Sequence, residues 1–189
     1  MNRFLGFIAI AAMTLTLASC GASKKTISPD EEIVNTPFSG PEYASDKNYY
    51  RSEGIGLSID ISMAKRAAEL DARTQIAGQI TATIKSVMDR YAQQVNIEKK
   101  SEFEAKTEEM TRQVINQRLN NSNIKNSQLT FNKRTKKYTS YVLIEMPKDS
   151  VCEALEGAIT SDERLKLDFD KYQFKKIFDE EMEKYVNGR

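Results

Sequence analysis

From Ile61 onward the apolar residues Ile61, Ala64, Ala68, Ala72, Ile76, Ile80, Ile84, Val87 and Tyr91 return every three or four positions, the repeat of one face of a long helix. The pattern predicts a helix over 61–94, a rod of about 50 Å at 1.5 Å per residue, with Asp60 as its N-cap. The first half of its buried face is mostly alanine, so the sheet should press closest against the stretch from Ala64 to Ala77. Gly78 costs about 1 kcal/mol relative to alanine in a helix, and a close contact there is the expected offset. Before this helix, residues 49–57 read as a strand carrying Gly54 and Gly56. After a polar bend near Asn96, Phe103, Thr107, Met110, Val114 and Gln117 form the thinner stripe of a second, less buried helix, ended by Asn120-Asn121-Ser122-Asn123. Leu129 to Asn132 and Tyr138 to Ile144 alternate as strands, with a hairpin turn from Asn132 to Lys137. Pro147 stops the second of them, and helical patterns follow at about 148–159 and 162–186. The order strand, helix, helix, strand, strand, helix, helix predicts an α+β fold: an antiparallel sheet of about three strands with the Ala-rich helix and the others packed on it. A doubly wound parallel sheet fits this order poorly.

The N-terminal segment follows another logic. Arg3 precedes an apolar run from Phe4 to Leu17, shorter than the roughly 20 residues that span a bilayer as a helix and arranged as a bacterial export signal. Leu17-Ala18-Ser19-Cys20, followed by Gly21, resembles the lipobox of bacterial lipoproteins, which implies removal of residues 1–19 and acylation of Cys20. The alternative is an ordinary secretory signal whose boundary happens to hold a cysteine. Three acyl chains on the terminal cysteine, as the resemblance implies, anchor a protein firmly where one binds only marginally. Residues 20–48, punctuated by Pro29, Pro37, Gly40 and Pro41, read as a lipidated N-terminus and flexible tether; about 25 flexible residues reach roughly 25–30 Å. Gly21-Ala22-Ser23-Lys24-Lys25 lacks the acidic run that sends some lipoproteins to the cell surface, so the expected address is the outer membrane, facing the periplasm.

Within the folded part, Gly54-Ile55-Gly56-Leu57-Ser58, followed by Met63-Ala64-Lys65-Arg66-Ala67-Ala68-Glu69-Leu70-Asp71-Ala72-Arg73-Thr74-Gln75-Ile76-Ala77, resembles the Lpp-twenty family of membrane-associated lipoproteins. It is also similar to the N-terminal domain of flagellar assembly protein T. The resemblance covers about 49–146, leaving 147–189 as a C-terminal helical extension. It implies an α+β domain on an envelope lipoprotein, with no catalytic residues to carry over.

Composition narrows the chemistry. Lys and Arg number 28 against 27 Asp and Glu, and loss of residues 1–19 removes only Arg3, so no positive excess is left to hold nucleic acid. Histidine and tryptophan are absent, which excludes mechanisms that need an imidazole. With Cys20 acylated, Cys152 stands alone, and its setting reads as a small buried helix residue rather than a reactive thiol. Gly54-x-Gly56 lacks the third glycine of a dinucleotide loop, Ile59 standing in its place, and close helix–strand packing explains it better. Ser62-Met63-Ala64-Lys65 matches the Ser-x-x-Lys of penicillin-recognising enzymes without the companion motifs. No metal or cofactor is expected, and Glu69, Asp71 and Arg73 read as surface ion pairing on the exposed side of the long helix.

Two surfaces remain as candidates. Lys125, Lys133, Arg134, Lys136 and Lys137 cluster around the hairpin, either as a solvated turn or as a contact for anionic lipid headgroups or envelope polysaccharide. Phe169, Tyr172, Phe174 and Phe178, with Met182, Tyr185, Leu165, Leu167 and Ile177 nearby, crowd the last helix, either as core or as an interface for an envelope protein or a second copy. The expectation is a non-catalytic binding or scaffolding domain held to the membrane through Cys20. The alternative is a small-ligand or polysaccharide module with a pocket between sheet and helices.

Overall fold

In the computed structural model the described residues are 33–94, 100–119, 122–162 and 169–187. Cys20, Leu165 and Leu167 therefore lie outside the described residues, as do residues 1–32 of the expected signal and tether. The compact unit runs from Asn35 to Arg189 and is an α+β fold. Its elements are β1 (Tyr49–Ser58), α1 (Ile61–Gln94), α2 (Lys100–Leu119), β2 (Asn123–Asn132), β3 (Lys137–Pro147), α3 (Lys148–Ser161) and α4 (Lys171–Asn187). The sheet is antiparallel throughout, in the order β1-β3-β2. β1 and β2 are therefore its two edges.

α1 starts where the sequence places it. The Asp60 carboxylate accepts the Met63 N–H at 2.8 Å and the Asp60 carbonyl accepts the Ala64 N–H at 3.0 Å, which satisfies two of the donors a helix start leaves free. Ala64, Ala68 and Ala72 face β1 and are fully buried. A Cβ on Gly54 would stand 2.0 Å from the Ala68 carbonyl oxygen, and one on Gly56 would stand 2.1 Å from that of Ala64. The helix backbone thus rests on the strand backbone, and only glycine fits between them. Gly78 differs from its expected role: nothing lies within 4 Å of a Cβ built there, so no close contact offsets its cost.

Past Gln79, which reaches Arg51 near the start of β1, α1 overhangs the sheet. Its buried face, alanine as far as Ala72 and then Ile76, continues there as Ile80, Ile84, Val87, Met88 and Tyr91, large side chains that meet the other helices in one core. Phe103, Met110 and Val114 of α2, Val151 and Leu155 of α3, and Phe174, Phe178 and Met182 of α4 join these residues and Tyr50, Val142, Ile144 and Met146 in one core. The C-terminal helices belong to the same core as the sheet, and no boundary at residue 147 separates them.

Three further expectations are corrected. α4 begins at Lys171, not at 162, because Asp170 caps it: its carboxylate accepts the Gln173 N–H at 3.0 Å and its carbonyl the Phe174 N–H at 2.9 Å. β2 is longer than predicted, its polar first half Asn123–Gln128 pairing with β3 although it carries no alternating apolar signal. The tether is shorter: residues 36–46 pack on β1. The Glu53 carboxylate accepts the Thr36 hydroxyl and, at 3.2 Å, the Phe38 N–H, and the Phe38 and Tyr43 rings meet edge to face at 5.5 Å.

Candidate functional site

The last helix turns most of its aromatic residues inward. Phe174 and Phe178 are fully buried within the chain's own core, and Phe169 is partly buried against Tyr91 and Phe174, with ring centroids 5.9 and 5.4 Å away. Tyr172 alone of the four is exposed. α4 is pinned to α1 by Glu181, which accepts from Ser86 at 2.8 Å and from Arg90 and Lys184 at 2.6 Å each. Burial by itself would raise this carboxyl, but the bonds from Lys184, Ser86 and Arg90 outweigh it and hold the group below its ordinary range. The expected partner interface on α4 is thus mostly core, because its apolar stripe faces the overhang of α1.

Cys152 is buried on α3, and desolvation pushes its thiol up to about 12, which makes it inert as a nucleophile at neutral pH. Ser62 and Lys65 are both exposed on the first turns of α1. The sheet–helix interface is filled by Ala64, Ala68, Ala72 and Ile76, all fully buried. A surface depression of about 330 Å³ lies instead on α3 and the start of α4, lined by Glu153, Glu156, Gly157, Thr160 and Lys171. Lys171 pairs with Glu156 across it at 3.1 Å.

Asp71 and Arg73 do not act as solvent-facing ion pairs. Asp71 accepts the Ile55 N–H at 3.0 Å, and Arg73 donates to the Leu119 carbonyl and the Ser122 hydroxyl, tying α1 to the end of α2. Asp71 begins a series that sequence reading missed. Gln75 donates to the Glu53 carbonyl at 3.0 Å, and Gln79 donates to the Arg51 carbonyl at 3.1 Å. The Arg51 N–H donates to the Ser45 hydroxyl at 2.8 Å, and the Asp46 N–H to the Tyr49 carbonyl at 3.0 Å. Each outward-facing residue of β1 from Tyr49 to Ile55 thus has a backbone N–H or C=O taken up, by side chains of α1 spaced four apart or by residues 45–46. The spacing Asp71, Gln75, Gln79 beside the alanine stripe was the available signal.

The other edge is bare. α1 packs on β1 and β3, and all ten residues of β2 are exposed. Leu129 pairs with Ser140 and Phe131 with Tyr138, so both stand on the helix side of the sheet, yet they remain 40% and 46% exposed because α1 does not extend over them. Phe131 leans on Tyr138 with ring centroids 4.7 Å apart. Of the five basic residues, Lys125 sits at the bulge of β2 and bonds Glu145 at 2.5 Å. Glu145 also binds Arg51, so a charge ladder crosses all three strands on the far face. Lys133, Arg134, Lys136 and Lys137 form the exposed hairpin tip. There the Asn132 carbonyl accepts the Lys136 N–H at 2.8 Å, and its side chain accepts from Arg134 and Thr135 at 3.0 Å each. Lys136 takes the left-handed conformation, φ 56°, which glycine adopts without the cost of about 1 kcal/mol or more that a side chain adds.

No helix among the described residues is long and apolar enough to cross a membrane. Compared with family models, curated proteins and solved structures, the chain matches none of them.

Proposed function

We propose that this chain is a bacterial envelope lipoprotein of the Lpp-twenty-like kind, held by acylated Cys20 to the outer membrane on its periplasmic side, whose α+β domain binds or scaffolds other envelope components without catalysing a reaction. The observation that carries the reading is Leu17-Ala18-Ser19-Cys20 behind a basic residue and a short apolar run. Residues 36–46 pack on β1, so the tether that joins the anchor to the domain covers 21–35, about 20 Å of root-mean-square reach for a flexible chain. The domain stays close to the surface it is tied to.

The hairpin tip suits that position. Four basic side chains at one end attract anionic headgroups by roughly 1 kcal/mol each near the surface, within a Debye length. A lysine also holds position 136, where glycine would relieve the backbone. Charge at the tip is kept at the expense of stability, as happens at sites that serve binding. Mass spectrometry of the mature protein tests the anchor: the reading expects an N-terminal acylated Cys20, and a free thiol at that residue in membrane-released protein overturns it. Lys136→Gly sharpens the surface claim, with the unfolding free energy rising by about 1 kcal/mol while pelleting with anionic vesicles weakens.

A further inference from the structure

We infer that two copies of this chain pair edge to edge through β2, antiparallel about a two-fold axis at Leu129, to make one six-stranded sheet. This goes beyond the proposed function and holds whether or not Cys20 is acylated.

The hydrogen-bonding phase of the sheet fixes which groups are free. In β1 the odd-numbered residues face outward, as their bonds to Asp71, Gln75, Gln79 and Ser45 show, so the even-numbered residues bond β3. Because bonded and non-bonded pairs alternate along an antiparallel ladder, β3 turns its odd-numbered residues toward β2. Their partners are Asn126, Gln128, Thr130 and Asn132. Ser127, Leu129 and Phe131 therefore carry the outward N–H and C=O groups of β2. The register that uses all three in both copies sets Leu129 opposite its own copy and Ser127 opposite Phe131, closing about six hydrogen bonds. It also brings two Leu129 and two Phe131 side chains into one apolar strip on the helix side.

The occupant follows from charge and from the missing guards. Exposed edge strands are normally blunted by charged side chains, proline, bulges or a covering element. β2 has a bulge only at Lys125, ahead of the straight run Asn126–Asn132, and that run contains neither a charge nor a proline. The one charged residue of the strand, Lys125, is held by Glu145. A copy of the same neutral strand meets no like charge here. The four basic residues of the tip then decide direction. Antiparallel pairing about Leu129 sets the two tips about 35 Å apart at 3.4 Å per residue, several Debye lengths at physiological salt. Parallel pairing would set them side by side, at about 5 Å between strands.

The full chain, purified in detergent and followed by light scattering over a range of concentration, is expected to move between one and two copies. Leu129→Lys sets two ammonium groups at the axis and should leave only single copies, with unchanged circular dichroism because Leu129 is exposed and with the thermal midpoint of the native chain diluted to single copies. Leu129→Cys should give a reducible two-copy band under mild oxidation, since facing Cα atoms at about 5.5 Å suit a disulfide; Ile55→Cys, exposed but with its N–H held by Asp71, should not. A single copy at every concentration overturns the inference. So does a two-copy state indifferent to Leu129→Lys, equal cross-linking from position 55, or capture of a different protein by Leu129→Cys. Detergent solution needs no lipid anchor, so failure here is distinct from failure to find acylated Cys20.

Discussion

The two edges of the sheet face the same hazard, a row of unsatisfied backbone groups, and the chain treats them in opposite ways. At β1 each outward residue from Tyr49 to Ile55 has a backbone N–H or C=O bonded by Ser45, Asp46, Asp71, Gln75 or Gln79. At β2 no element among the described residues lies over the strand, and ten residues stand in solvent. Guarding β1 costs a specialised helix: glycine below, alanine above, and a polar side chain every fourth residue alongside. A protein that builds one guard so thoroughly and omits the other has two differently employed edges. Polar side chains that block further pairing on one side, and a neutral strand without them on the other, are both visible in residue choice.

The largest effect should come from the contact that brings the guard within reach. Gly54→Val puts a side chain where a Cβ would already be 2.0 Å from the Ala68 carbonyl oxygen and 2.4 Å from the Ala72 nitrogen. Helix and strand must part, and Asp71 and Gln75 lose their targets together. Denaturant unfolding should show a loss of about 3 kcal/mol or more, the upper end of overpacking costs. A loss under 1 kcal/mol would mean that the interface yields and that glycine is not required.

Stripping the guard alone is the next test. Replacing Asp71, Gln75 and Gln79 by alanine together should cost about 2–3 kcal/mol, near 1 kcal/mol for each bond to backbone, and should open a second self-pairing edge. Sedimentation would then show species larger than two copies. If no larger species form, the polar side chains do not act as the barrier.

Acid acts on the ladder that joins both edges. Burial would raise the Glu145 carboxyl, yet its bonds to Lys125 and Arg51 hold it below the ordinary value of 4.5. A depressed carboxyl stabilises the fold fully above its unfolded pKa and loses that contribution as pH falls through the folded one. Thermal stability should therefore drop below about pH 4.5, and Glu145→Gln should flatten part of that slope, by about 1 kcal/mol for a partly exposed group. Protonation also releases Lys125, which restores a free charge to β2 and should weaken pairing. The smallest effect is at Gly78→Ala, expected to add up to about 1 kcal/mol, because the space above it is empty.

Where a periodic pattern and its burial coincide, the residues were legible in advance. The alanine and isoleucine stripe of α1 marked both its ends, and Gly54 with Gly56 marked the strand that α1 crosses. Reading failed where structure depends on a partner distant in sequence. The first half of β2, Asn123 to Gln128, has no apolar alternation because neither of its faces is covered, so only its pairing with β3 makes it a strand. Thr36, Phe38 and Ser45 sit among residues with a linker's composition, and their bonds go to β1. Phe174 and Phe178 could be assigned to core or interface only once the overhang of α1 had been seen. The basic cluster was found by count, but Lys125 belongs to the ladder and the other four to the tip.

Amide hydrogen exchange, followed residue by residue on the Leu129→Lys chain, tests the contrast between the edges most directly. If β1 is closed and β2 open, the Arg51 and Ile55 amides exchange orders of magnitude more slowly than unstructured peptide, while those of Ser127 and Phe131 exchange at close to the unstructured rate. Equal protection at the two edges, or faster exchange at Arg51 and Ile55 than at Ser127 and Phe131, would contradict the account.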